Sequence, residues 1–582
     1  MDKETLNNNR HSLAHLLAAA VIQLYPDTKR TIGPAVDNGF YFDFAFSEPI
    51  SEKELPKIEK KMREISKTWS SFERHELTAE EAKKEYPGNE FKIELIEEFT
   101  RNGEKVSFYK SGDYWDLCKG GHSENFKDIQ PSSWKLDKIA SAYWRGDSSK
   151  PMLTRIYGLA FETKEALDGY LTMLDEAKKR DHKKLGISLD LFTFSDLVGP
   201  GLPLWTPKGT MMRTLLDDYV WQLRKAKGYQ KVEIPHITKK ELYETSGHWD
   251  KFKDELFRIT TREGHEFAMK PMNCPHHTQI YARAPHSYRE LPIRFANTTV
   301  CYRDEQTGEL SGLSRVRAFA QDDAHVFCRT GQVKQEMEKV WDIISTFYTS
   351  FGFELETRLS FHDPEHKEKY LGSPETWAFA EKQLKELVDE KKVEATITPG
   401  EAAFYGPKID FLASDSIGRK WQVATIQLDM NMPERFDLTC INEEGANERI
   451  VMIHAAIMGS IERFMSIIIE HFAGNFPTWL APVQVALLPI SDKHIDYTEK
   501  VAHDLRIMLP DLRFTIDDRS ESIGKKIREA SVQKIPYQII MGDKEKENSQ
   551  IAVRTQAGTD LGSMSLQDFL AKITTEIETK SL

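Results

Sequence analysis

One short segment, SRVRAFAQDDAHVFC at residues 314–328, constrains the fold of this chain more than any other. Side chains along a β-strand alternate between its two faces. Apart from Asp322, one face would be small and apolar, with Val316, Ala318, Ala320, Ala324 and Val326. The other would carry Arg317, Phe319, Gln321, Asp323 and His325. A solvated strand face usually carries lysine, glutamate and threonine, so the pattern favours a strand that packs on a core with one face and binds a ligand with the other.

The neighbouring segments predict an antiparallel sheet around this strand. IRFANTTVCYRDE predicts a strand over 293–303, and the loop DEQTGELSGLSR would join the two strands as a long hairpin that could close over a ligand. Further strands are predicted at 408–413 and 419–429. Arg303, at the end of the first strand, has a planar guanidinium that is suited to bind phosphate through two parallel hydrogen bonds.

A third segment, MIHAAIMGSIERFMSIIIEHF, predicts an apolar strand followed by a helix. His454 lies on the strand, Gly459 and Ser460 begin the helix, and Arg463 follows within about one turn among apolar neighbours. An arginine on a largely buried helix needs an anionic partner. The residues leave open whether that partner is a bound ligand or an acidic side chain of the protein.

Two segments carry paired histidines, one of them beside a cysteine, in patterns that suggest metal chemistry. AMKPMNCPHH contains Cys274, His276 and His277, which are too close in sequence to reach one ion together in good geometry. This segment either packs around a proline turn or supplies one ligand to a site whose other ligands are distant in sequence. HSLAH places His11 and His15 four residues apart, on one face of a helix. It lacks the glutamate of the HExxH zinc-protease motif.

Length and charge exclude several classes of protein. A chain of 582 residues is too long for one core, so roughly three to five domains are expected. The net charge of −12 argues against non-specific coating of nucleic acid, although the basic segments 176–186 and 524–530 fit either local nucleic-acid contacts or solvated helix faces. No apolar run approaches the ~20 residues of a membrane span, and the start lacks the basic region of a signal peptide. The five scattered cysteines suit a reducing compartment, so a cytoplasmic protein with no membrane partner is predicted.

The secondary-structure pattern changes three times along the chain. Residues 1–163 mix helices with alternating strand-like runs, and a basic helical connector is predicted over 164–186. A long mixed domain follows over 187–480, in which Ser373 would cap a helix that begins with proline. Residues 481–582 alternate strands such as PVQVALLPI and YQIIMG with helices, which predicts an α/β module.

Three segments together resemble the motifs that define class II aminoacyl-tRNA synthetases. A strand predicted to end at Pro235 follows a long helix, a hairpin carries CYRDE with Phe319 on its second strand, and a later helix carries GSIERF. The segments MKPMNCP, QDDAHVFC, AAFYGPKIDF and WQVATIQLDM narrow the resemblance to the threonyl-tRNA synthetase family, from about residue 8 to the C-terminus.

The resemblance implies an α+β multidomain fold. It comprises an N-terminal α+β editing domain, a class II core of antiparallel β-sheet flanked by helices, and a C-terminal α/β anticodon-binding domain. A homodimer formed through the motif that contains Pro235 is also implied. The small β-rich TGS domain that begins many bacterial relatives is expected to be absent.

The resemblance further implies a ligase. The protein would activate L-threonine with ATP and Mg²⁺ as threonyl-adenylate, and then transfer threonine to tRNA(Thr). One Zn²⁺ per subunit is implied, with Cys274, His325 and His454 as its ligands. The implied ATP-binding residues are Arg303, Glu305, Arg315, Phe319, Gln422, Ser460 and Arg463, of which Arg303 and Arg463 would be catalytic. The implied threonine-binding residues are Met272, Arg303, Gln321, Asp323, Tyr405 and Gln427.

Two details of this assignment can be checked against a structure. His276 and His277 would not be ligands, and the family usually has glycine at position 276. In an ideal strand Gln422 and Gln427 would point to opposite faces, so the two assignments together require a β-bulge between them.

The N-terminal motifs, HxxxH followed by CxxxH, resemble the editing domain shared by threonyl- and alanyl-tRNA synthetases. The implied editing residues are His11, His15, Asp116, Cys118 and His122. They would hydrolyse seryl-tRNA(Thr), because a missing methyl group gives only about 10–200-fold discrimination against serine. The four histidine and cysteine side chains could bind a second zinc ion, as in the alanyl relatives, or act without metal, as in the bacterial threonyl family. The metal-free alternative is favoured, and CKGGH replaces the family's frequent CRGPH with its spacing intact.

Further tRNA contacts follow from the resemblance alone. The segment 143–161 is similar to the one that closes the editing domain, and Arg145 and Lys150 would contact the acceptor stem. Glu545 and Arg554 fall at the positions that read the anticodon. The basic residues expected near phosphate are Lys525, Lys526 and Arg528.

Two other classes of function remain as alternatives. A synthetase-like regulator would bind tRNA without acylating it, but such proteins tend to lose the arginines and metal ligands that this sequence retains. A metal-dependent hydrolase could be built on the N-terminal ligands, with the rest of the chain as a scaffold. Threonine-dependent exchange of pyrophosphate into ATP distinguishes the three, since only a synthetase catalyses it.

Overall fold

The computed structural model of this chain describes residues 2–101, 103–147 and 149–582. They form two units, which divide between Glu176 and Ala177. Among the described residues, none of the helices is both long and apolar enough to cross a lipid bilayer.

The N-terminal unit is organised around its first helix. The Asp2 side chain accepts the backbone N–H of Thr5 and so caps this helix, and the apolar run LLAAAV is buried. The helices of the unit are α1 (Lys3–Leu24), α2 (Leu55–Ile65), α3 (Ala79–Lys84) and α4 (Glu90–Phe99). Its strands are β1 (Lys29–Arg30), β2 (Ala35–Val36), β3 (Gly39–Ala45), β4 (Glu73–Leu77), β5 (Val106–Ser111), β6 (Tyr114–Leu117), β7 (Trp134–Tyr143) and β8 (Met152–Ala160).

Both sheets of this unit are antiparallel. The larger has the order β1-β3-β8-β7 with β2 paired to β3, and the smaller has the order β4-β5-β6. Phe40, Phe42 and Phe44 of β3 pack against α1 and α2 in one hydrophobic core. The next helix, α5 (Lys164–Arg180), contains the boundary between the two units.

The second unit contains a long antiparallel sheet. Its helices before residue 480 are α6 (His182–Ser188), α7 (Pro207–Ala226), α8 (Lys240–Ser246), α9 (His248–Lys251), α10 (Cys274–Ala282), α11 (Val333–Thr349), α12 (Pro374–Lys391), α13 (Asn431–Arg435) and α14 (Ile461–His471). The strands are β9 (Phe192–Thr193), β10 (Leu204–Trp205), β11 (Gln230–Lys231), β12 (Ile237–Lys239), β13 (Arg258–Thr260), β14 (Glu266–Met269), β15 (Ile293–Tyr302), β16 (Ala318–Cys328), β17 (Leu355–Phe361), β18 (Ala395–Pro399), β19 (Lys408–Ser414), β20 (Lys420–Asp429), β21 (Thr439–Ile441), β22 (Asn447–Arg449) and β23 (Val451–Ser460).

In the described part of the chain, the central sheet has eight strands in the order β11-β15-β16-β23-β20-β19-β17-β18. Its inner pairs are antiparallel, and only the outer pairs β11–β15 and β17–β18 are parallel. The apolar face of β16 packs as predicted: Ala320, Ala324 and Val326 share a hydrophobic core with Met212 of α7 and Ile344 of α11. The opposite face of the sheet is therefore available for a ligand.

Two irregularities shape that face. In β20 the register with β19 shifts between Phe411 and Leu412, which leaves Val423 as an extra residue. Gln422 and Gln427 therefore point to the same face, as their two assignments required. In β23 the register with β16 also shifts, at the position opposite Asp322.

The C-terminal module has the predicted α/β organisation. Its helices are α15 (Ile495–Met508), α16 (Ile523–Val532), α17 (Asp543–Asn548) and α18 (Leu566–Thr579). Its strands are β24 (Val485–Pro489), β25 (Phe514–Ile516), β26 (Tyr537–Met541), β27 (Ile551–Thr555) and β28 (Asp560–Met564). The sheet order is β25-β24-β26-β27-β28, with parallel pairing among the first three strands and antiparallel pairing beyond them.

Three elements differ from the sequence-based expectation. The strand expected to end at Pro235 ends as β11 at Lys231, with one further hydrogen bond from the N–H of Val232 to the carbonyl of Ala296. The connector predicted over 164–186 is two helices separated at Asp181, whose side chain accepts the N–H of Lys183 and caps α6. Strand β28 was not predicted, since its sequence DLGSM has little β-propensity.

Candidate functional site

The three predicted metal ligands come together although they are far apart in sequence. Cys274 lies at the start of α10, His325 on β16 and His454 on β23, and all three are buried. Their candidate ligand atoms lie within 4.8 Å of one another. Burial raises the pKa of the Cys274 thiol and lowers the pKa of His325. One sulfur and two imidazole nitrogens form a donor set that fits Zn²⁺ with an open coordination position.

Neighbouring side chains fix the orientation of these ligands. Asp429 Oδ2 is 2.8 Å from Nε2 of His454, and Nδ1 of His277 is 2.7 Å from Nδ1 of His325. Hydrogen bonds of this kind set the tautomer of a metal-binding histidine. His277 is thus a neighbour of a ligand and not a member of the ligand set. Both ring nitrogens of His276 are buried without a partner, and burial lowers its pKa to about 4.

Two residues of this site were missed in the sequence. Asp429 is the last residue of β20, and His248 begins α9 with its Nε2 3.8 Å from Sγ of Cys274. Asp429 lies in the segment WQVATIQLDM but was given no role there, and His248 lies in none of the segments that carry the resemblance. Only the pairing of β20 with β23 brings Asp429 to its histidine.

Strand register aligns part of the predicted threonine site with the metal ligands. Gln427 pairs with His454, and His454 pairs with His325, so the three lie in one row across the sheet. Nε2 of Gln427 donates to the backbone carbonyl of Gly406 at 2.9 Å. The Tyr405 ring is 5.1 Å from the ring of His454.

Asp323 lies beside this row and is held by a buried polar network. Its Oδ1 is 3.7 Å from Nε2 of His325, and its Oδ2 accepts from Nδ2 of Asn273 at 3.2 Å. Lys270, which is fully buried, donates from Nζ to Asn273 Oδ1 and to Thr299 Oγ1, both at 2.9 Å. The lysine and the asparagine were not identified from the sequence as members of this site.

Three other predicted threonine-binding residues, Met272, Arg303 and Gln321, make the following contacts. Sγ of Cys301 lies 3.8 Å from Oε1 of Gln321. Arg303 Nη2 lies 3.3 Å from Sδ of Met272. Asp323, Tyr405 and Gln427 thus lie close to the metal ligands. Met272 lies close to Arg303, whereas Gln321 contacts Cys301.

A cleft of about 400 Å³ lies where β16, β23 and α14 meet. Six of the seven predicted ATP-binding residues line it, namely Arg303, Glu305, Arg315, Phe319, Ser460 and Arg463. Gln422 is not among the lining residues. Its amide instead donates to Asp410 at 2.8 Å and accepts from Arg358 at 2.8 Å.

The charges in this cleft favour an anionic, aromatic ligand. The Arg303 guanidinium lies 5.2 Å from the Phe252 ring and 5.3 Å from the Phe319 ring, and its buried Nε has no hydrogen-bond partner. Within the part of the chain that the structure describes, neither Arg303 nor Arg463 forms an ion pair with a carboxylate. The alternative of a structural acid for Arg463 is therefore not supported. A nucleotide offers both phosphate charge and a ring.

A second cluster lies in the N-terminal unit, where His11, His15, Cys118 and His122 have ligand atoms within 4.8 Å of one another. Nε2 of His11 is 3.5 Å from Sγ of Cys118. The ring of His122 stacks on Phe72 at 4.1 Å, and both of its nitrogens are buried without a partner. Burial lowers the pKa of His122 to about 3 and raises that of Cys118 to about 11.

Asp116, the fifth predicted editing residue, is engaged by cations. Its Oδ1 is 2.9 Å from Nζ of Lys92 and 3.4 Å from Nε of Arg30, and it accepts hydrogen bonds from Tyr86 and Tyr114. Burial acts to raise the pKa of Asp116, but the two cations outweigh it and hold that pKa below its usual range. The lysine and the arginine are further residues that the sequence did not identify.

The predicted tRNA contacts are divided between the two units. Arg145 pairs with Glu94 and Glu98, and Lys150 Nζ is 3.5 Å from Glu94. Residue 148 of the segment 143–161 lies outside the described residues. If this segment binds RNA, Arg145 and Lys150 would have to leave these glutamates in order to contact phosphate groups.

Glu545 and Arg554 occupy successive elements of the C-terminal module, α17 and β27. The Glu545 carboxylate accepts the N–H of Gly542 at 3.1 Å. Lys526, predicted to lie near phosphate, is instead buried and donates to the carbonyl of Pro489 at 3.0 Å. A buried ammonium held by a carbonyl is not available to nucleic acid, so this prediction was wrong.

Family models match three parts of the chain. "tRNA synthetase class II core domain (G, H, P, S and T)" matches residues 257–472, and "Threonyl and Alanyl tRNA synthetase second additional domain" matches residues 106–157. "Anticodon binding domain" matches residues 484–576. The fold and the cleft therefore define a class II aminoacyl-tRNA synthetase.

Comparison with individual relatives identifies the family within this class. Threonine–tRNA ligase of Porphyromonas gingivalis is 47% identical over 575 residues, covering 98% of this chain and 87% of the relative. That of Gloeobacter violaceus is 46% identical over 581 residues, covering 98% and 92%. The chain belongs to the threonine–tRNA ligase family, which confirms the resemblance.

Solved structures agree with this assignment. The RNA binding domain of threonyl-tRNA synthetase from Cryptosporidium parvum superposes with a TM-score of 0.65 at 36% identity, covering 68% of this chain and 98% of that one. A putative threonyl-tRNA synthetase from Aeropyrum pernix gives 0.61 at 28% identity, covering 69% and 96%.

Proposed function

We propose that this chain activates L-threonine with ATP and Mg²⁺, transfers it to tRNA(Thr), and removes serine from mischarged tRNA. The observation that carries the proposal is the placement of Cys274, His325 and His454 together, with a cleft nearby in which two arginines, Arg303 and Arg463, form no ion pair with a described carboxylate. The three metal ligands are suited to bind, through a metal ion, an amino acid whose side chain can coordinate it. The cleft is suited to bind a nucleotide. The two sites meet at Arg303.

Cys274, His325 and His454 would hold Zn²⁺, which supplies open coordination positions for the amino and hydroxyl groups of threonine. Threonine and valine have nearly the same shape, so an apolar pocket would separate them by only about 10²-fold. A site that binds the hydroxyl directly can reach about 10⁴-fold or more. Asp323, buried beside His325, is placed to accept the hydroxyl proton in a hydrogen bond.

Activation needs charge neutralisation more than covalent catalysis. The threonine carboxylate attacks the α-phosphorus of ATP, the bond to the bridging oxygen breaks, and pyrophosphate leaves. Arg303 would hold the α-phosphate and the carboxylate together, and Arg463 would neutralise the leaving phosphates. Phe319 would stack on adenine, opposite the guanidinium of Arg303.

The test of this proposal is threonine-dependent exchange of pyrophosphate into ATP, with zinc counted per chain. Cys274→Ser should lose bound zinc and exchange activity together, because the thiolate is one of three donors. Cys440→Ser, which changes a buried cysteine outside the donor set, is the matched control and should retain both. Full exchange by a zinc-free Cys274→Ser protein would refute the proposal.

The N-terminal cluster would carry the hydrolytic step. The partnerless nitrogens of His122 and the nearby His11, His15 and Cys118 can bind and orient a water molecule and the terminal ribose of the tRNA. The same donor set is also chemically suited to zinc. We favour the metal-free alternative, and a count of one zinc per chain, rather than two, would support it.

Assembly and compartment belong to the proposal as well. Members of the family have a homodimer interface at the motif that here contains Pro235, and a cytoplasmic location would match the scattered free cysteines. Sedimentation of the purified protein would test the dimer directly.

A further inference from the structure

The loop that joins β15 to β16 ends in a tight turn over 311–315. The backbone N–H of Ser311 donates to the carbonyl of Arg315 at 3.1 Å, and Leu313 at the tip is fully buried. Ser314 and Arg315 line the nucleotide cleft. A movement of the turn would therefore move two residues of that cleft.

A histidine from outside the loop holds the tip of the turn. The N–H of Leu313 donates to Nε2 of His182 at 3.0 Å. Nδ1 of His182 lies 2.6 Å from Oε1 of Glu470, which also accepts the backbone N–H of His182 at 3.1 Å. Since Nε2 accepts a hydrogen bond, the ring proton must lie on Nδ1 and point to Glu470. The glutamate thus fixes the tautomer that the turn requires.

The same helix that carries Arg463 anchors this arrangement. Glu470 and Ser466 both lie on α14, and Oγ of Ser466 is 3.1 Å from Oγ of Ser314. Because Arg463 occupies the first turn of α14, one rigid element sets the position of both walls of the cleft.

A metal ion is not the explanation for this cluster. Asp181, His182 and Glu470 have potential ligand atoms within 4.8 Å of one another. However, both ring nitrogens of His182 already have hydrogen-bond partners. Oε2 of Glu470 lies 2.6 Å from Nη2 of Arg419, so the charge of this carboxylate is balanced by an arginine and needs no metal ion. The cluster is built to hold the turn.

We infer that His182, oriented by Glu470, is a positioning residue for ATP binding. It acts through Leu313, and so determines where Ser314 and Arg315 stand in the cleft. The inference rests on the proposed function, because it assigns the cleft to ATP. It goes beyond that function in giving a role to residues of α6 and α14 that touch no substrate.

The test compares His182→Ala with His182→Gln in threonine-dependent pyrophosphate exchange. His182→Ala should raise the KM for ATP roughly tenfold, the effect of one lost buried hydrogen bond, while the KM for threonine changes less than about twofold. His182→Gln should recover part of the loss, because its amide oxygen can accept the N–H of Leu313. His265→Ala, at an exposed histidine, is the matched control and should change neither constant.

Gly312 provides an independent variant. Its φ is +52°, and a Cβ there would lie 2.3 Å from Nε2 of His182. Gly312→Ala should therefore also raise the KM for ATP. Its effect should be smaller in the His182→Ala background, where the clash with the ring is gone.

The inference is overturned if folded His182→Ala has the wild-type KM for ATP, or if the KM values for ATP and threonine rise equally. Should His182→Ala not fold, an unchanged KM for ATP in Gly312→Ala overturns it instead. Absence of exchange in the wild-type protein would count against the proposed function, whereas wild-type exchange with unaffected variants would count only against the role of His182.

Discussion

At the scale of single residues, Asp322 shows how a local pattern acquires its meaning from the fold. It is the exception on the apolar face of the 314–328 segment. Its carboxylate accepts the N–H groups of Ile457 and Met458, which lie in the bulged part of β23 and have no strand partner there. Arg224 of α7 is fully buried and lies 3.4 Å from Oδ2 of Asp322. Asp322 thus replaces the missing strand partner of two buried backbone groups.

Asp322→Ala should lower the free energy of unfolding of the second unit by about 3–5 kcal/mol, because it leaves the Arg224 charge buried and unpaired. Urea unfolding followed by tryptophan fluorescence would measure this. Asp389→Ala, at an exposed carboxylate of α12, is the control and should change stability by less than about 0.5 kcal/mol. An equal effect of the two substitutions would contradict the role given to Asp322.

The buried histidines of the N-terminal cluster predict that the stability of the fold depends on pH. The folded pKa of His122 is about 3, whereas an unfolded histidine titrates near its ordinary value of 6.5. Between these values the unfolded chain binds more protons than the folded one, so stability should fall as the pH is lowered from about 6.5 towards 3. Thermal unfolding of the full chain at pH 7 and pH 5 would measure this loss. His122→Asn should show a smaller loss, and an identical loss in both proteins would contradict the assignment.

At the scale of secondary structure, the shifted register of β20 places on one face of the sheet two glutamines that would point to opposite faces of an ideal strand. Val423 is the extra residue, and it allows Gln422 and Gln427 to point the same way. Even so, only Gln427 reaches the row of metal ligands, while Gln422 is bonded to Arg358 and Asp410. A position on the right face is thus necessary for a place in the site but not sufficient.

Two helix caps allow a local and a functional effect to be separated. The side chain of Ser460 accepts the N–H of Arg463 at the start of α14, and Ser373 caps α12 in the same way. Either serine-to-alanine substitution should cost about 1 kcal/mol of stability. Only Ser460→Ala should also raise the KM for ATP, because Ser460 itself lines the cleft and its helix presents Arg463 to the same cleft. If the two variants have the same KM for ATP, the cap at Ser460 does not contribute to ATP binding, and the prediction is contradicted.

At the scale of the whole molecule, the two histidine and cysteine clusters lie in different units. The N-terminal cluster belongs to the unit that ends at Glu176, and the cluster around Cys274 belongs to the unit that follows. Each cluster has its own hydrophobic core beneath it. The chemistry at one cluster is therefore expected to survive the loss of the other.

Cys118→Ala should accumulate seryl-tRNA(Thr) while threonine-dependent pyrophosphate exchange stays within about twofold of wild type. The measurement is charging of tRNA with labelled serine, followed by its rate of deacylation. Ser107→Ala, at the hydroxyl that donates to the Cys118 carbonyl, keeps the thiol and is the matched control. Equal serine error rates in Cys118→Ala and wild type would exclude editing at this site.

Local sequence patterns were sufficient to predict the elements and much of the chemistry. Alternation along β16, the N-cap of α12 and the pair His11 and His15 on one helix face are local, since each depends on residues a few positions apart. The strands at 293–303, 315–328, 408–413 and 419–429 were placed to within a few residues for the same reason. The family resemblance then assigned roles that no spacing could supply.

Contacts between distant residues, in contrast, depend on how the strands and helices pack. The pairing of β16, β23 and β20 brings Asp429 to His454, the packing of α6 on α14 brings His182 to Leu313, and burial turns Lys526 inward. These contacts join positions separated by tens to hundreds of residues. The physical reason is that strand register and helix packing are set by the whole hydrophobic core, so no short segment of the sequence encodes them.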